Sequence, residues 1–529
     1  MIFANGNWAI LLLALTLSAC GDSGFTGSGT GTGNPGQAIV DAPGSMAPDD
    51  NVPQSIDGAQ PRQSLEQIQQ ELGIPVLSEP WFGDLDGMIE RRVIRVLTVY
   101  GIGTYYIQNG QESGIVYEAF KSFENEINQR EGKKTVRVHV VFIPVARDEL
   151  IPGLLEGHGD IAAAGLTITP ERQELVDFTD PLTSKLSEVL VTGPSAPPIS
   201  SVEDLAGREI YVRASSSYRA SLDALNRRFV NEGIEPVIIE DISELLEDSD
   251  ILEMVNSGSL EWAVVDDYMA KIQADVFENL EVRDDIVFRD DGQMGYAIRK
   301  GSPELMAALN PFAKTHRQGT LKGNMLINRY TRDFDWAANV LDEEDYQRFE
   351  EVVGIFEMYG NQYGIDYLMV TAQGYQESRL RQSTRSKAGA IGIMQLLPST
   401  AADPNVDIPD ILTAENNIHA GVKYLDFIRN RYFNDPGMDD NNRTLFALAA
   451  YNAGPARIVN LRLKAEKQGY DPNRWFDNVE IIAAREIGSE TVQYVANILK
   501  YYVVYRLTVI RALQRRRALE AYAVAPAHH

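Results

Sequence analysis

Apolar and polar positions alternate in two different ways along the chain. Val93-Ile94-Arg95-Val96-Leu97-Thr98-Val99 is rich in β-branched residues and predicts a strand. Residues 114–130 place Ile115, Ala119, Phe120 and Phe123 at helical spacing and predict an amphipathic helix. A second strand is expected at Val136–Ile143 and a helix around 147–156. Further strands are predicted at Ile161–Ala164, Leu186–Thr192, Glu209–Arg213, Val237–Glu240, Trp262–Val265 and Gly295–Arg299. Strands that alternate with helices predict an α/β region over roughly 92–300. From about 336 to 520 long helical patterns dominate, and that part reads as all-α.

The chain has 529 residues, which suggests two to four domains. A formal net charge of −27 argues against nucleic acid as a partner, because such binding needs basic surface. Most of the acidity lies before about residue 350. The basic cluster Arg511, Arg515, Arg516 and Arg517 reads as a solvated helix face. There is one cysteine, Cys20, so neither an internal disulfide nor a cysteine metal site is expected. It follows the apolar run 9–17, which is too short to span a bilayer and suits a signal-peptide core, although residues 1–8 lack Lys and Arg. The run closes as Leu17-Ser18-Ala19-Cys20-Gly21, which resembles the bacterial lipobox. That resemblance implies a signal peptide over 1–19 and a lipidated Cys20. With Gly21 and Asp22 following, it implies an anchor on the periplasmic face of the outer membrane. The alternative is a buried cysteine in an ordinary apolar segment. Residues 20–65 are then a flexible tether, being rich in Gly, Ser, Thr, Pro, Asp and Gln.

Two sets of motifs carry the chemistry. Gly159-Asp160-Ile161-Ala162-Ala163-Ala164-Gly165-Leu166-Thr167-Ile168-Thr169-Pro170-Glu171-Arg172 is followed by Val176-Asp177-Phe178-Thr179-Asp180-Pro181 and, later, by Leu205-Ala206-Gly207-Arg208 and Ala214-Ser215-Ser216-Ser217-Tyr218. These segments resemble extracellular solute-binding proteins of the polar amino-acid type. The resemblance implies a two-lobed domain over 80–310 with chain crossings near 190–196 and 288–296. It implies a small ligand, an amino acid or a muropeptide. Arg172 would hold a carboxylate by two charge-assisted hydrogen bonds, or else cap a turn. Ser216 and Ser217 would offer an anion the N-terminus of a helix, or simply cap it. Of the pair Asp266-Asp267, the resemblance assigns Asp267 to a ligand ammonium.

The second set is Ala372-Gln373-Gly374-Tyr375-Gln376-Glu377-Ser378-Arg379; Ala388-Gly389-Ala390-Ile391-Gly392-Ile393-Met394-Gln395; Glu415-Asn416-Asn417-Ile418-His419-Ala420-Gly421; Ala450-Tyr451-Asn452-Ala453-Gly454-Pro455; and Glu490-Thr491-Val492-Gln493-Tyr494. Glycoside cleavage needs one carboxylic acid that stays neutral near pH 7. Glu377 lies near the end of a helix expected over about 366–381. Apolar walls from Ile391–Met394 would desolvate it and raise its pKa. In this order the segments resemble the SLT lytic transglycosylases, over 335–520. With the solute-binding region, the chain resembles the family of membrane-bound lytic transglycosylase F.

The resemblance implies cleavage of peptidoglycan glycan strands by Glu377 alone, first as acid and then as base. The product ends in 1,6-anhydro-muramic acid, and no metal or cofactor is used. Ser378, Gln395, Tyr451, Asn452 and Tyr494 are the implied substrate-binding and supporting residues. The rival readings are a non-catalytic sensor lipoprotein, which intact Glu377 argues against, and a lysozyme-type hydrolase, whose product is heavier by one water. His419 is expected to be a satisfied helix residue. The acidic loop 435–442 is expected to be a surface turn.

Overall fold

The computed structural model describes residues 63–524, apart from 73, 102, 109, 133–136, 184, 276 and 332–342. Cys20, the signal peptide and all but the end of the tether lie outside the described residues. Twelve strands are seen: β1 Val93–Thr98, β2 Tyr106–Gln108, β3 Gln111–Ser113, β4 His139–Pro144, β5 Ile161–Thr167, β6 Val176–Phe178, β7 Leu186–Thr192, β8 Glu209–Val212, β9 Ile238–Asp241, β10 Trp262–Asp266, β11 Glu281–Gly292 and β12 Met294–Arg299.

The first lobe is a five-stranded sheet in the order β4-β1-β5-β12-β6, with β4, β1 and β5 parallel and β12 antiparallel to both its neighbours. The second lobe holds the antiparallel sheet β10-β7-β11 and the parallel pair β8-β9. The chain therefore crosses between lobes at 179–185 and at 293. The first crossing lies ahead of the expected 190–196, because β7 is itself a strand of the second lobe. Its residues 188–192 pair with β10. Beyond residue 343 the described residues form helices and their connections, as the long helical patterns predict.

The first lobe is tied together around Asp160, which is fully buried. Its carboxylate meets Arg91, Arg95 at 3.0 Å and Arg299 at 3.6 Å, and accepts the Arg95 backbone N–H at 2.7 Å. Arg95 is itself 0% exposed. A buried charge cluster of this kind is costly to break, because losing one member strands the others.

The apolar interior of this lobe runs on without a break into the helical region, whereas the second lobe has a core of its own. The long helix Ser489–Val524, with 36 residues, joins all three. At 1.5 Å per residue it is roughly 54 Å long. Lys500 reaches Glu112 at 2.8 Å, and the Tyr505 hydroxyl donates to the Gly110 carbonyl at 2.7 Å.

Further along the same helix, half of the basic cluster is not a solvated face. Arg511 is 4% exposed and pairs with Glu149 of the first lobe at 2.7 Å. Arg515 pairs with Asp250 of the second lobe. Arg516 and Arg517 take the expected form, both exposed, with Arg516 paired to Glu520. The acids of the first two pairs are more than 260 residues away in sequence, so nothing in the local charge pattern announces them.

Candidate active site

Glu377 sits at the end of the helix Tyr367–Ser378. Asp366 caps the start of that helix, its carboxylate accepting the Leu368 N–H at 2.9 Å. Gly374 lies on its packed side, where a Cβ would stand 2.6 Å from the Phe356 ring. The helix stops because Arg379 adopts a left-handed conformation, φ 58°, with its N–H bonded to the Tyr375 carbonyl at 2.9 Å. Its guanidinium lies over the Tyr375 ring and donates to the Tyr501 hydroxyl at 3.2 Å, which holds the helix end to the long helix.

The turn that follows folds back beside the acid. Ser378 donates to the carbonyls of Ile393 at 2.9 Å and Gly374 at 3.2 Å, and accepts the Arg381 N–H. Asn417 is fully buried; it accepts the Met394 N–H and donates to the Ile391 carbonyl, both at 2.8 Å. Gly392, at φ 79°, leaves no room for a Cβ, which would lie 2.6 Å from the Asn417 amide. Tyr451 donates to the Met394 carbonyl at 2.8 Å, and Gln395 donates to the Gly392 carbonyl at 2.8 Å. The backbone of segment 391–396 is thus held from outside by Ser378, Asn417 and Tyr451, and from within by Gln395.

Glu377 has one side-chain hydrogen bond, from the Tyr494 hydroxyl to Oε1 at 2.6 Å. Burial raises its carboxyl to about 7, and the Tyr494 bond opposes that rise only in part. Burial, and after it the Glu377 charge, pushes the Tyr494 phenol well above the ordinary tyrosine range, so it stays a proton donor. The same two causes act on Tyr451. The Asn452 side chain is exposed and accepts from the Thr491 hydroxyl at 2.7 Å.

The structure therefore brings Glu377, Tyr451 and Tyr494 together. The Ser378 hydroxyl is occupied within the fold. Sequence reasoning gave no role to Gln373, which donates to the Tyr494 hydroxyl at 3.3 Å, or to Asn417. The available signals were the spacing of four between Gln373 and Glu377, and a second asparagine in the third motif. His419 has the partner expected of it, Tyr363 at 2.9 Å, and stacks on Tyr359. In the acidic loop, Asp435 pairs with Arg462 and Asp440 with Arg429.

In the solute-binding region, Arg172, Ser216 and Ser217 line one cavity between the lobes with Arg147, Asp266 and Tyr268. Arg172 donates to the carbonyls of Thr167 at 2.8 Å and Ser215 at 2.9 Å, one from each lobe. Burial, then the nearby Arg147 and Arg289, lowers its guanidinium to about 10. Ser216 caps the helix Ser217–Glu232. Asp267 does not face this cavity. It opens the helix Asp267–Ala274, and its carboxylate is taken by Lys271 at 3.0 Å and the Ser187 N–H at 3.4 Å. Asp266, the last residue of β10, points inward and has a buried Oδ1 without a partner. Burial raises its carboxyl well above the usual range. The cavity holds only about 30 Å³, room for a water. Arg147 and Glu247 close it from opposite lobes at 2.7 Å.

Residues 354–473 match the transglycosylase SLT domain, and residues 100–330 match bacterial extracellular solute-binding proteins, family 3. The chain joins a family 3 solute-binding domain to an SLT domain. It is similar to a protein of Desulfosudis oleivorans named membrane-bound lytic murein transglycosylase F, 28% identical over 430 residues, covering 77% of this chain and 89% of that one. A Pseudomonas fluorescens protein of the same name is 29% identical over 440 residues, covering 79% and 85%. Among solved structures, an ancestral amino acid-binding protein, a precursor of cyclohexadienyl dehydratase, is 26% identical. That match covers 47% of this chain and 99% of the other, with a TM-score of 0.37.

Proposed function

We propose that the chain is a peptidoglycan lytic transglycosylase of the membrane-bound F kind, with Glu377 as its only acid/base. The observation that carries this is a carboxyl raised by burial to about 7, with a phenol donor on one oxygen and no cation beside it. Such a group holds a proton near neutrality and can give it to the glycosidic oxygen between MurNAc and GlcNAc. The resulting carboxylate then takes the proton of the muramic 6-hydroxyl as that oxygen closes on C1. The product is 1,6-anhydro-muramic acid, and no water is consumed.

Ser378, Gln395 and Tyr451 fix the segment 391–396 beside the acid, and Asn452 is open to meet glycan. The SLT domain spans 335–520. The domain over 80–310 senses a small ligand, an amino acid or a muropeptide, through Arg172, Ser216 and Ser217. Cys20 carries a lipid anchor at the outer membrane, and residues 20–65 span from it. No helix among the described residues is long and apolar enough to cross a membrane.

The test is digestion of purified peptidoglycan by the chain and by Glu377→Gln, read by mass spectrometry. Anhydro-ended products from the first and none from the second are expected. Reducing-ended products would mean a hydrolase, and no products from either would favour the sensor.

A further inference from the structure

Gln373 precedes Glu377 by four residues on the same helix, so the two side chains stand on one face. It is 0% exposed, and its Oε1 is buried without a partner. Its one hydrogen bond is from Nε2 to the Tyr494 hydroxyl at 3.3 Å. A buried glutamine with half its amide unpaired is unfavourable packing. What it supplies is one N–H aimed at a phenol oxygen that itself lies 2.6 Å from Glu377 Oε1 and donates to it.

We propose that Gln373 is a positioning residue: its amide donates to the Tyr494 oxygen, commits the single phenol proton to Glu377 Oε1, and so leaves Oε2 to carry the proton that is transferred. This rests on the acid role given to Glu377 above.

The chain of bonds runs one way, amide N–H to phenol oxygen, then phenol O–H to carboxyl oxygen. Each bond polarises the next. Without the amide, the phenol can turn and accept a proton from the carboxyl. The proton then faces Tyr494 rather than the glycan. The titratable groups that face Glu377 are Tyr494, from the long helix, and Tyr451, from the helix Asp440–Ala453. Among the described residues, no Lys, Arg, His, Asp or Glu contributes to its shift. The direction of the effect is therefore set by the phenol alone.

Replacing Gln373 by Met keeps the volume and removes the donor. In the full chain, Gln373→Met is expected to lower kcat about fivefold, the effect of one ordinary hydrogen bond. KM is expected to stay unchanged, because the residue is buried away from substrate. The alkaline limb of activity moves up, since the carboxylate loses part of its stabilising bond. Tyr494→Phe moves the limb the same way, and adding Gln373→Met to it changes nothing further.

An unmoved limb in Gln373→Met overturns the proposal, as does a second upward shift in the Tyr494→Phe background. If Gln373→Met does not fold, Tyr494→Phe decides alone, and an unmoved limb there also overturns it. Should the wild type release no anhydro product, it is the acid role that fails. The phenol's orientation is then read without turnover, from the pH dependence of the stability difference between each protein and its Glu377→Gln counterpart.

Discussion

Around Glu377 burial acts on a carboxyl that has only a phenol for company, whereas in the cavity between the lobes Arg147 faces Glu247 and Arg213 faces Asp248. In both places the charged groups are largely buried. In the first, only the Tyr494 bond opposes desolvation, and the carboxyl keeps its proton to about 7. In the second, opposite charges hold one another ionised, as the lowered Asp248 carboxyl records against its own burial. The same low-dielectric surroundings thus make a proton donor in one region and a clasp in the other. The difference is whether a cation is present.

The sharpest way to break the comparison is to neutralise the lone acid. Glu377→Gln is expected to lower turnover by about 10³-fold or more, measured as anhydro-muropeptide release. Its effect on stability has the opposite sign. A carboxyl whose folded value is raised from 4.5 to about 7 contributes stability below pH 4.5 and loses it as pH rises through 7. Glu377→Gln is therefore expected to be more stable than the parent by about 2–3 kcal/mol at pH 8, and equal to it at pH 4. Urea melts at the two pH values check this.

A carboxylate held by cations behaves in reverse. Asp160→Ala leaves Arg91, Arg95 and Arg299 facing one another, and is expected to cost about 3–5 kcal/mol in a thermal or urea melt near neutrality. Between these extremes lies the clasp. Glu247→Ala releases Arg147 from across the cavity, and is expected to shift lobe closure by about 1–3 kcal/mol. Small-angle scattering should then show a larger radius of gyration, and an unchanged profile would argue that Arg172 and the long helix hold the lobes without the clasp. The smallest effect is expected at the exposed pair on the long helix. Glu520→Ala should change stability by less than about 0.5 kcal/mol.

The sheet of the first lobe and the acid helix were legible because each rests on local periodicity. Val93–Thr98 and Tyr367–Ser378 fall within a few residues of their predicted positions. The twelve-residue β11 was not foreseen. Its sequence, Glu281 to Gly292, is crowded with acids and exposed along one edge of its sheet, so alternation does not stand out. That Asp266 rather than Asp267 lines the cavity was hidden for a related reason. One residue at a strand end decides which way a side chain points, and the sequence leaves that end uncertain by as much. Arg511 and Arg515 were unreadable because their partners come from distant parts of the chain. Motif order located Glu377, but the bond from Gln373 to Tyr494 needed coordinates, since it joins side chains 121 residues apart.

That separation has a consequence for how the protein is made. Glu377 acquires its phenol only once the ribosome has added 117 more residues. A nascent or clipped polypeptide that ends ahead of Tyr494 carries the acid but not the group that orients it. The candidate site is completed by the same helix that, twenty-one residues later, grips the second lobe through Arg515.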